Sequence, residues 1–318
     1  MRDPGTRWRS LLYQALVLAA LLALLFWLAH NTREQMQARS IHSGFDFLLD
    51  RAGFDIGESL IPYNADAAYW RAFAVGLGNT VCVALPGVLL ATLLGTAIGL
   101  GRLARNVLLR ALCGAYVELL RNIPLLLQLL FWYLLSTRIL PDVAAPVHLG
   151  PLELSKAGLS FIQTPGATAA DAVDRAGGFA PSLSPEYLAL LFGLVTYTAS
   201  YIAEVVRAGI ASVPAGQREA AQALGLGARQ VLRLVTLPQA LRLIVPPLTN
   251  QYLNLIKNSS LAVAIGYPDL VSISNTALNQ SGRALECMAV IVAVYLSLSL
   301  LTALTMGLAN RRAALRAR

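Results

Sequence analysis

The sequence predicts an all-α fold: a polytopic membrane bundle of about six transmembrane helices. The chain is 56% apolar and 13% charged, with a mean hydropathy of +0.60, a balance that a soluble protein of 318 residues could hardly bury. Its apolar residues stand in continuous runs, whereas transmembrane β-strands need alternating segments of about ten residues. Because hydrocarbon offers the backbone no hydrogen-bond partners, these runs are expected to cross as helices.

Six apolar runs are long enough to cross about 30 Å of hydrocarbon. The first is expected to remain as an anchor, because no A-x-A cleavage site follows it. The third should break at Pro124, and Gly95 with Gly99 in the second predict close helix packing. The runs are 11–29, 73–100, 111–140, 187–208, 243–265 and 287–308.

Basic residues beside these runs predict that both termini are cytoplasmic. Six crossings place the termini on one side, and that side carries 15 Lys and Arg residues against 8 on the other. The net charge of +8 is spread in small groups beside the spans, which argues against nucleic-acid binding. Three cysteines lie in or beside the runs without ligand spacing, so neither a metal site nor a disulfide is expected.

Two polar stretches are assigned to the periplasmic side. Residues 30–72 mix acids with aromatic residues and are expected to fold on the membrane surface, while 141–186 is rich in Pro, Gly and Ala. Loops this long are either functional or poorly ordered. The remaining chain divides into a cytoplasmic tail with the anchor at 1–29, a transmembrane domain at 73–310 and a basic cytoplasmic tail at 311–318.

A polar stretch at 212–238 is the most informative part of the chain. A membrane protein rarely keeps so many polar and small residues at the cytoplasmic surface without a partner, so the stretch is expected to be a docking element. Its Glu-Ala-Ala triplet is followed at fixed distances by a glycine and by a Leu-Pro pair. The predicted docking residues are Glu219, Ala220, Ala221, Gly225, Gly227, Leu237 and Pro238.

The local structure of this stretch is predicted from its helix breakers. Pro214 is expected to open a helix, and Gly225 with Gly227 to end it. The result is two short helices at an angle, the second closed before Pro238. The alanines would keep the first helix slim enough to enter a groove on a partner, where Glu219 would meet a basic group or cap the turn. The alternative is an ordinary surface helix with a solvated glutamate.

The spacing in this stretch resembles the pattern of the membrane subunits of ATP-binding-cassette (ABC) importers. Segments beginning at Glu118, Tyr201 and Asn250 are also similar to polar amino-acid importers, most of all to the general L-amino-acid branch. The similarity covers roughly 73–308. Many relatives carry an acid at the position of Asn258, and a neutral residue there fits a site that accepts many side chains.

This resemblance implies a five-helix type I importer core in the bacterial inner membrane that moves L-amino acids and catalyses no bond change. The implied partners are ABC ATPase subunits, a second permease subunit and a periplasmic amino-acid-binding protein, in a setting of membrane lipid. No phosphate loop occurs in the sequence, so ATP and Mg²⁺ are expected on the ATPase, and no cofactor on this chain. An ion-coupled secondary carrier and a non-transporting scaffold remain alternatives.

Ionisable residues inside the spans are candidates for the substrate path, because a charge in hydrocarbon costs about 2.5 kcal/mol or more. A zwitterionic amino acid needs a donor for its carboxylate and an acceptor for its ammonium group. The alternative is that these groups satisfy one another, as Glu204 would by pairing with Arg207 one turn away. The candidates are Glu118, Arg121, Glu204, Lys257, Asn258 and Ser259.

Overall fold

Helices make up most of the fold, which confirms the predicted class. The computed structural model describes residues 4–38, 44–59, 61–150, 152–161 and 182–315. Within these ranges five helices are long and apolar enough to cross a membrane, or six if the bent pair α3 and α4 forms one span. The helices are α1 (Pro4–Ala38), α2 (Tyr69–Gly101), α3 (Val107–Asn122), α4 (Leu125–Ile139), α5 (Pro185–Ala211), α6 (Ala215–Ala223), α7 (Ala228–Ile265), α8 (Leu270–Ser281) and α9 (Ala284–Leu315).

The third apolar run is broken where the sequence predicts a break. Helices α3 and α4 meet at 104°. Ile123 has an extended backbone with ψ of 128°, and Pro124 stands directly before α4. A proline disfavours the helical conformation in the residue before it, which explains why α3 ends here. The prediction at Pro124 is confirmed.

The prediction that a second short helix closes before Pro238 is wrong. Helix α7 runs without interruption from Ala228 to Ile265. A π-helical turn at Val231–Thr236 leads into the α-helical part Leu237–Asn258, and Pro238 stands in the first turn of that part. A proline ring normally clashes with the carbonyl four residues earlier, and the wider π turn shifts that carbonyl. The helix therefore passes the proline.

Helices α2 and α5 pack in backbone contact. A Cβ atom on Gly95 would lie 2.7 Å from Cβ of Ile202, and one on Gly99 would lie 2.7 Å from the carbonyl oxygen of Ala203. Real Cβ atoms do not approach so closely, so only glycine permits this separation of the two helices. The predicted close packing at these two glycines is confirmed.

The segment before α2 is folded against helices. Its 3₁₀ helix Asp46–Leu49 buries Phe47, which is 2% exposed and packs with Tyr69. The side chain of Asn79 in α2 donates to the carbonyl oxygens of Glu58 at 2.8 Å and Pro268 at 2.9 Å. One buried amide thus ties this segment and the residues before α8 to α2.

The long polar stretch before α5 contains a small sheet that the sequence analysis does not predict. Four antiparallel strands follow one another in the order β1-β2-β3-β4. Gly150 with φ of 66° and Gly158 with φ of 105° provide the left-handed backbone near the turns. Short strands between such glycines carry too few residues for a clear alternation. The strands are β1 (Val147–Leu149), β2 (Leu152–Ser155), β3 (Gly158–Phe161) and β4 (Ser182–Leu183).

The first and last helices, α1 and α9, are longer than the apolar runs 11–29 and 287–308 that predicted them. Helix α1 includes a candidate span at Leu12–Thr32 of which 0% is buried against the rest of the chain. Helix α9 continues to Leu315, so the described part of the predicted basic tail is helical, while residues 316–318 lie outside the described ranges.

Candidate docking element and substrate path

The turn after α6 is a glycine-capped helix end. Gly225 has φ of +82°, a conformation that favours glycine. Its N–H donates to the carbonyl of Gln222 at 2.9 Å, and the N–H of Leu226 donates to the carbonyl of Ala221 at 3.2 Å. This pair of bonds is the Schellman motif, which satisfies the last carbonyls of a helix. Gly225 ends the first short helix as predicted.

The start of α7 is capped from the other side of the same turn. The N–H of Gly227 donates to Oε1 of Gln230 at 2.9 Å, and the N–H of Gln230 donates to the carbonyl of Gly227 at 2.9 Å. Pro214 stands directly before α6, where the sequence predicts a helix opening. Helices α6 and α7 are therefore joined by a short connection with a defined geometry.

The docking candidates fall on different faces. Ala221 is 5% exposed, and α6 packs against Val231–Thr236 of α7, so this alanine contributes to packing within the chain. Glu219 and Ala220 are exposed. The carboxylate of Glu219 has no hydrogen bond or ion pair within the described part of the chain, so it does not cap the turn. Leu237 and Pro238 lie beyond the π turn, inside α7.

Leu224 is a surface residue that the sequence analysis does not single out. It lies at the end of α6, directly before the left-handed Gly225, and is 84% exposed. Leaving a leucine side chain in water rather than burying it costs roughly 1.5 kcal/mol or more. The signal in the sequence is an apolar residue directly before the capping glycine, a position that ends a helix and projects outward.

Glu204 forms the ion pair that the alternative interpretation expects, with an additional partner. Its Oε1 accepts from Nη2 of Arg207 at 2.5 Å, and its Oε2 accepts from Nε of Arg207 at 3.2 Å and from Nη1 of Arg102. Arg102, directly after α2, is not among the candidate path residues and is one of the 15 basic residues on the cytoplasmic side of the predicted topology. Spacing along one helix predicts the Arg207 contact, whereas the Arg102 contact depends on how α2 packs against α5.

Glu118 and Arg121 are not paired with each other. The guanidinium carbon of Arg121 lies 5.0 Å from the ring centroid of Tyr201, a cation–π geometry. The hydroxyl of Tyr201 lies 3.1 Å from that of Tyr197. Glu118 is exposed and has no ionic or hydrogen-bond partner among the residues that the structure describes.

The polar residues at 257–259 lie partly at the surface and partly in the interior of the protein. Lys257 is exposed and Asn258 is half-buried. Ser259 is 1% exposed, and its hydroxyl donates to the carbonyl of Ile256 at 2.7 Å, so it faces the protein interior. Within the described residues no three His, Cys, Asp or Glu side chains are grouped to hold a metal ion.

Comparison with known proteins places this arrangement in a family. Residues 87–315 match the family of binding-protein-dependent transport system inner membrane components. The chain belongs to this family. As a permease subunit of an ABC importer, it forms part of the membrane passage, and ATP hydrolysis belongs to a separate ATPase. The predicted resemblance to ABC importer permeases is confirmed.

Three relatives match this permease over nearly its whole length. The general L-amino acid transport system permease protein AapQ of Rhizobium johnstonii is 42% identical over 99% of this chain and 94% of its own. The putative amino-acid ABC transporter permease protein YhdX of Escherichia coli is 40% identical over 96% and 94%. BztB of Rhodobacter capsulatus, a glutamate/glutamine/aspartate/asparagine transport system permease, is 36% identical over 98% and 95%.

Solved transporters share the fold. A crystal structure of an amino acid ABC transporter with histidines matches with a TM-score of 0.57 and 26% identity, covering 77% of this chain and 95% of that one. The MetNI methionine ABC transporter, in an inward-facing conformation, matches with a TM-score of 0.54 at 18% identity, covering 76% and 96%, which supports the fold alone.

Proposed function

We propose that this permease moves L-amino acids across the bacterial inner membrane, driven by an ATPase that docks at the turn between α6 and α7. The observation that carries the proposal is this turn itself, which is rigidly capped yet presents an unpaired carboxylate and an exposed leucine. The relatives AapQ, YhdX and BztB are amino-acid permeases by name, which supports amino acids as the substrate class.

The docking surface combines an apolar anchor with charge. Leu224 is 84% exposed, and apolar side chains make up the buried core of a protein interface, which a polar rim surrounds. Glu219 supplies a charge that a basic residue of the ATPase would pair with. The exposed Arg218 is next to it in α6, and the exposed Arg229 lies in the first turn of α7. The docking element is thus α6, the turn and the first turns of α7.

The substrate path is assigned to the charged side chains that face outward from this subunit. Lys257 is the candidate donor to the carboxylate of an amino acid and Glu118 the candidate acceptor from its ammonium group, since both side chains are charged and exposed. A second permease subunit would complete the enclosure. Asn258 lies beside Lys257, and Arg121 is held over Tyr201. Ser259 and Glu204 are occupied within the chain, so we assign them to packing and to helix contacts.

The orientation follows from the same proposal. If the turn at Gly225 meets an ATPase, then it and both termini are cytoplasmic, while residues 44–68 and the sheet are periplasmic and available to an amino-acid-binding protein. The unequal distribution of basic residues supports this orientation. A second permease and two copies of the ATPase complete the proposed assembly, and ATP with Mg²⁺ binds on the ATPase.

The proposal is tested by purification followed by transport. Pulldown of the tagged permease from detergent should recover a nucleotide-binding subunit, and proteoliposomes of the complex with its binding protein should take up amino acids only when ATP is present. Uptake driven by an ion gradient without an ATPase would support a secondary carrier. A complex with no uptake of any acidic, basic or neutral amino acid would support a scaffold.

The path assignment has a matched pair of variants, because the chain contains two lysines. Lys257→Met should lower uptake at limiting substrate by at least about tenfold, the usual consequence of leaving a bound charge without its partner. Lys156→Met should not, because Lys156 pairs with Asp142 at 2.5 Å outside the candidate spans. Equal uptake by both variants in assembled complexes would reject Lys257 as a path residue.

A further inference from the structure

Two basic residues from different places in the chain share one carboxylate where α2 ends beside α5. The Glu204 carboxylate accepts from Arg102 and from Arg207. The side chains of Arg102 and Glu204 are 18% and 29% exposed, so the contact is partly shielded from water. Partial shielding from water strengthens the Coulomb attraction between the two charges relative to an open surface.

The two arginines respond differently to helix movement. Arg207 lies one turn from Glu204 on the same helix, so that pair persists wherever α5 moves. Arg102 follows the last residue of α2, so its bond to Glu204 exists only while the ends of the two helices stay together. Arg102 is therefore the member of the group that links separate helices.

The helices leave no free space beside this ion pair. A Cβ atom on Gly99 would lie 2.7 Å from the carbonyl oxygen of Ala203 and 2.9 Å from Cβ of Val206. Backbone contact limits how α2 can slide along α5, and the Arg102 bond fixes the end of α2 to the same helix. Together they make this end of the helix pair a rigid unit.

This rigid unit is connected directly to the docking element. Helix α5 ends at Ala211, and α6 begins at Ala215. Val213, between them, is 3% exposed and belongs to the same apolar cluster as Val206 of α5 and Ile244 of α7. A connection of three residues anchored by a buried valine leaves little slack, so a displacement of α6 passes into α5.

We propose that Arg102 is a positioning residue for energy coupling, which makes α2 follow α5 through Glu204 when α6 is displaced. The inference rests on the proposed function, in which an ATPase displaces α6. It gives Arg102 a role that neither its position in the sequence nor the names of the relatives assigns.

The test compares three variants of the complete transporter in proteoliposomes, with the number of amino acids moved per ATP hydrolysed as the readout. Arg102→Gln should lower this ratio about tenfold, within the range of ordinary coupling free energies, while ATP hydrolysis continues. Arg102→Lys keeps the charge and should restore at least half of the loss. Arg105→Gln, an exposed arginine in the same connection, should match the unaltered transporter. An unchanged ratio in Arg102→Gln overturns the inference.

A second measurement tests the contact between Arg102 and Glu204 without measuring transport. Melting temperatures of the detergent-solubilised complex are compared for Arg102→Gln, Glu204→Gln and the double variant. If Arg102 acts through Glu204, the double variant should be less destabilised than the sum of the single variants. Additive shifts would overturn the inference even if transport is normal. A complex that shows non-additive shifts but no ATP-driven uptake would instead contradict the proposed function.

Discussion

Replacing Gly225 by alanine should loosen the docking turn without any steric clash. Gly225 has φ of +82°, and a Cβ atom there would meet nothing within 4 Å. The effect is therefore the conformational strain of an L-residue in a left-handed backbone, about 1–2 kcal/mol. That free energy favours the opened turn by a factor of about 5 to 30. Both bonds of the Schellman motif would weaken, and Leu224 would lose its fixed position.

Amide hydrogen exchange on the purified complex measures this effect at peptides covering 215–226. Gly225→Ala should accelerate exchange by the factor given above. Gly216→Ala is the matched control, since Gly216 lies inside α6 with nothing within 4 Å of its Cβ position. Alanine is the better helix former by up to about 1 kcal/mol, so the control should slow exchange up to about fivefold. Changes of the same sign in both variants would show that the left-handed backbone of Gly225 is not what holds the turn.

Three further predictions concern packing and the region before α8. Gly99→Ala should lower the melting temperature of the complex, because the added methyl group overpacks against Ala203 at a cost of about 1–3 kcal/mol. Gly114→Ala is the control, because its methyl group would meet nothing within 4 Å. Equal melting temperatures for the two variants would contradict this prediction. Burial raises the pKa of Asp269 to about 6, so the free energy of unfolding should fall as the pH rises from about 4 to 6. Asp269→Asn keeps an oxygen that can cap α8 but does not titrate. This variant should therefore abolish the dependence of stability on pH in that range. Asn79→Ala leaves two carbonyls without a donor and should speed proteolysis within 44–68; unchanged cleavage would show that the amide does not hold this segment.

Helix breakers in the sequence predicted the local structure of the docking element well, with one failure. Proline before α6 and glycine after it act through backbone conformation, which depends on neighbouring residues alone. The prediction at Pro238 is wrong because a proline usually stops a helix, whereas the π turn before it lets this helix continue. A turn of that kind leaves no clear pattern in the sequence.

The side chains of the site were harder to assign, because their roles depend on packing between distant segments. The Glu204–Arg207 contact follows from helical spacing, but Arg102 joins it from 102 residues away. Ala221 belongs to the predicted motif yet is buried within this chain, so a bulky residue there would disturb internal packing as well as docking. Leu224 gives the cleaner test of docking, since its side chain is almost fully exposed.

In the proposed function, the turn between α6 and α7 meets an ATPase in the cytoplasm. A Leu224→Cys variant tests it in a chain whose three native cysteines are replaced. A membrane-impermeant maleimide should leave this cysteine unlabelled in intact spheroplasts, and a short cross-linker should join it to the nucleotide-binding subunit in the purified complex. Labelling from outside the spheroplast, or cross-linking to the periplasmic binding protein instead, would show that the turn does not meet an ATPase in the cytoplasm.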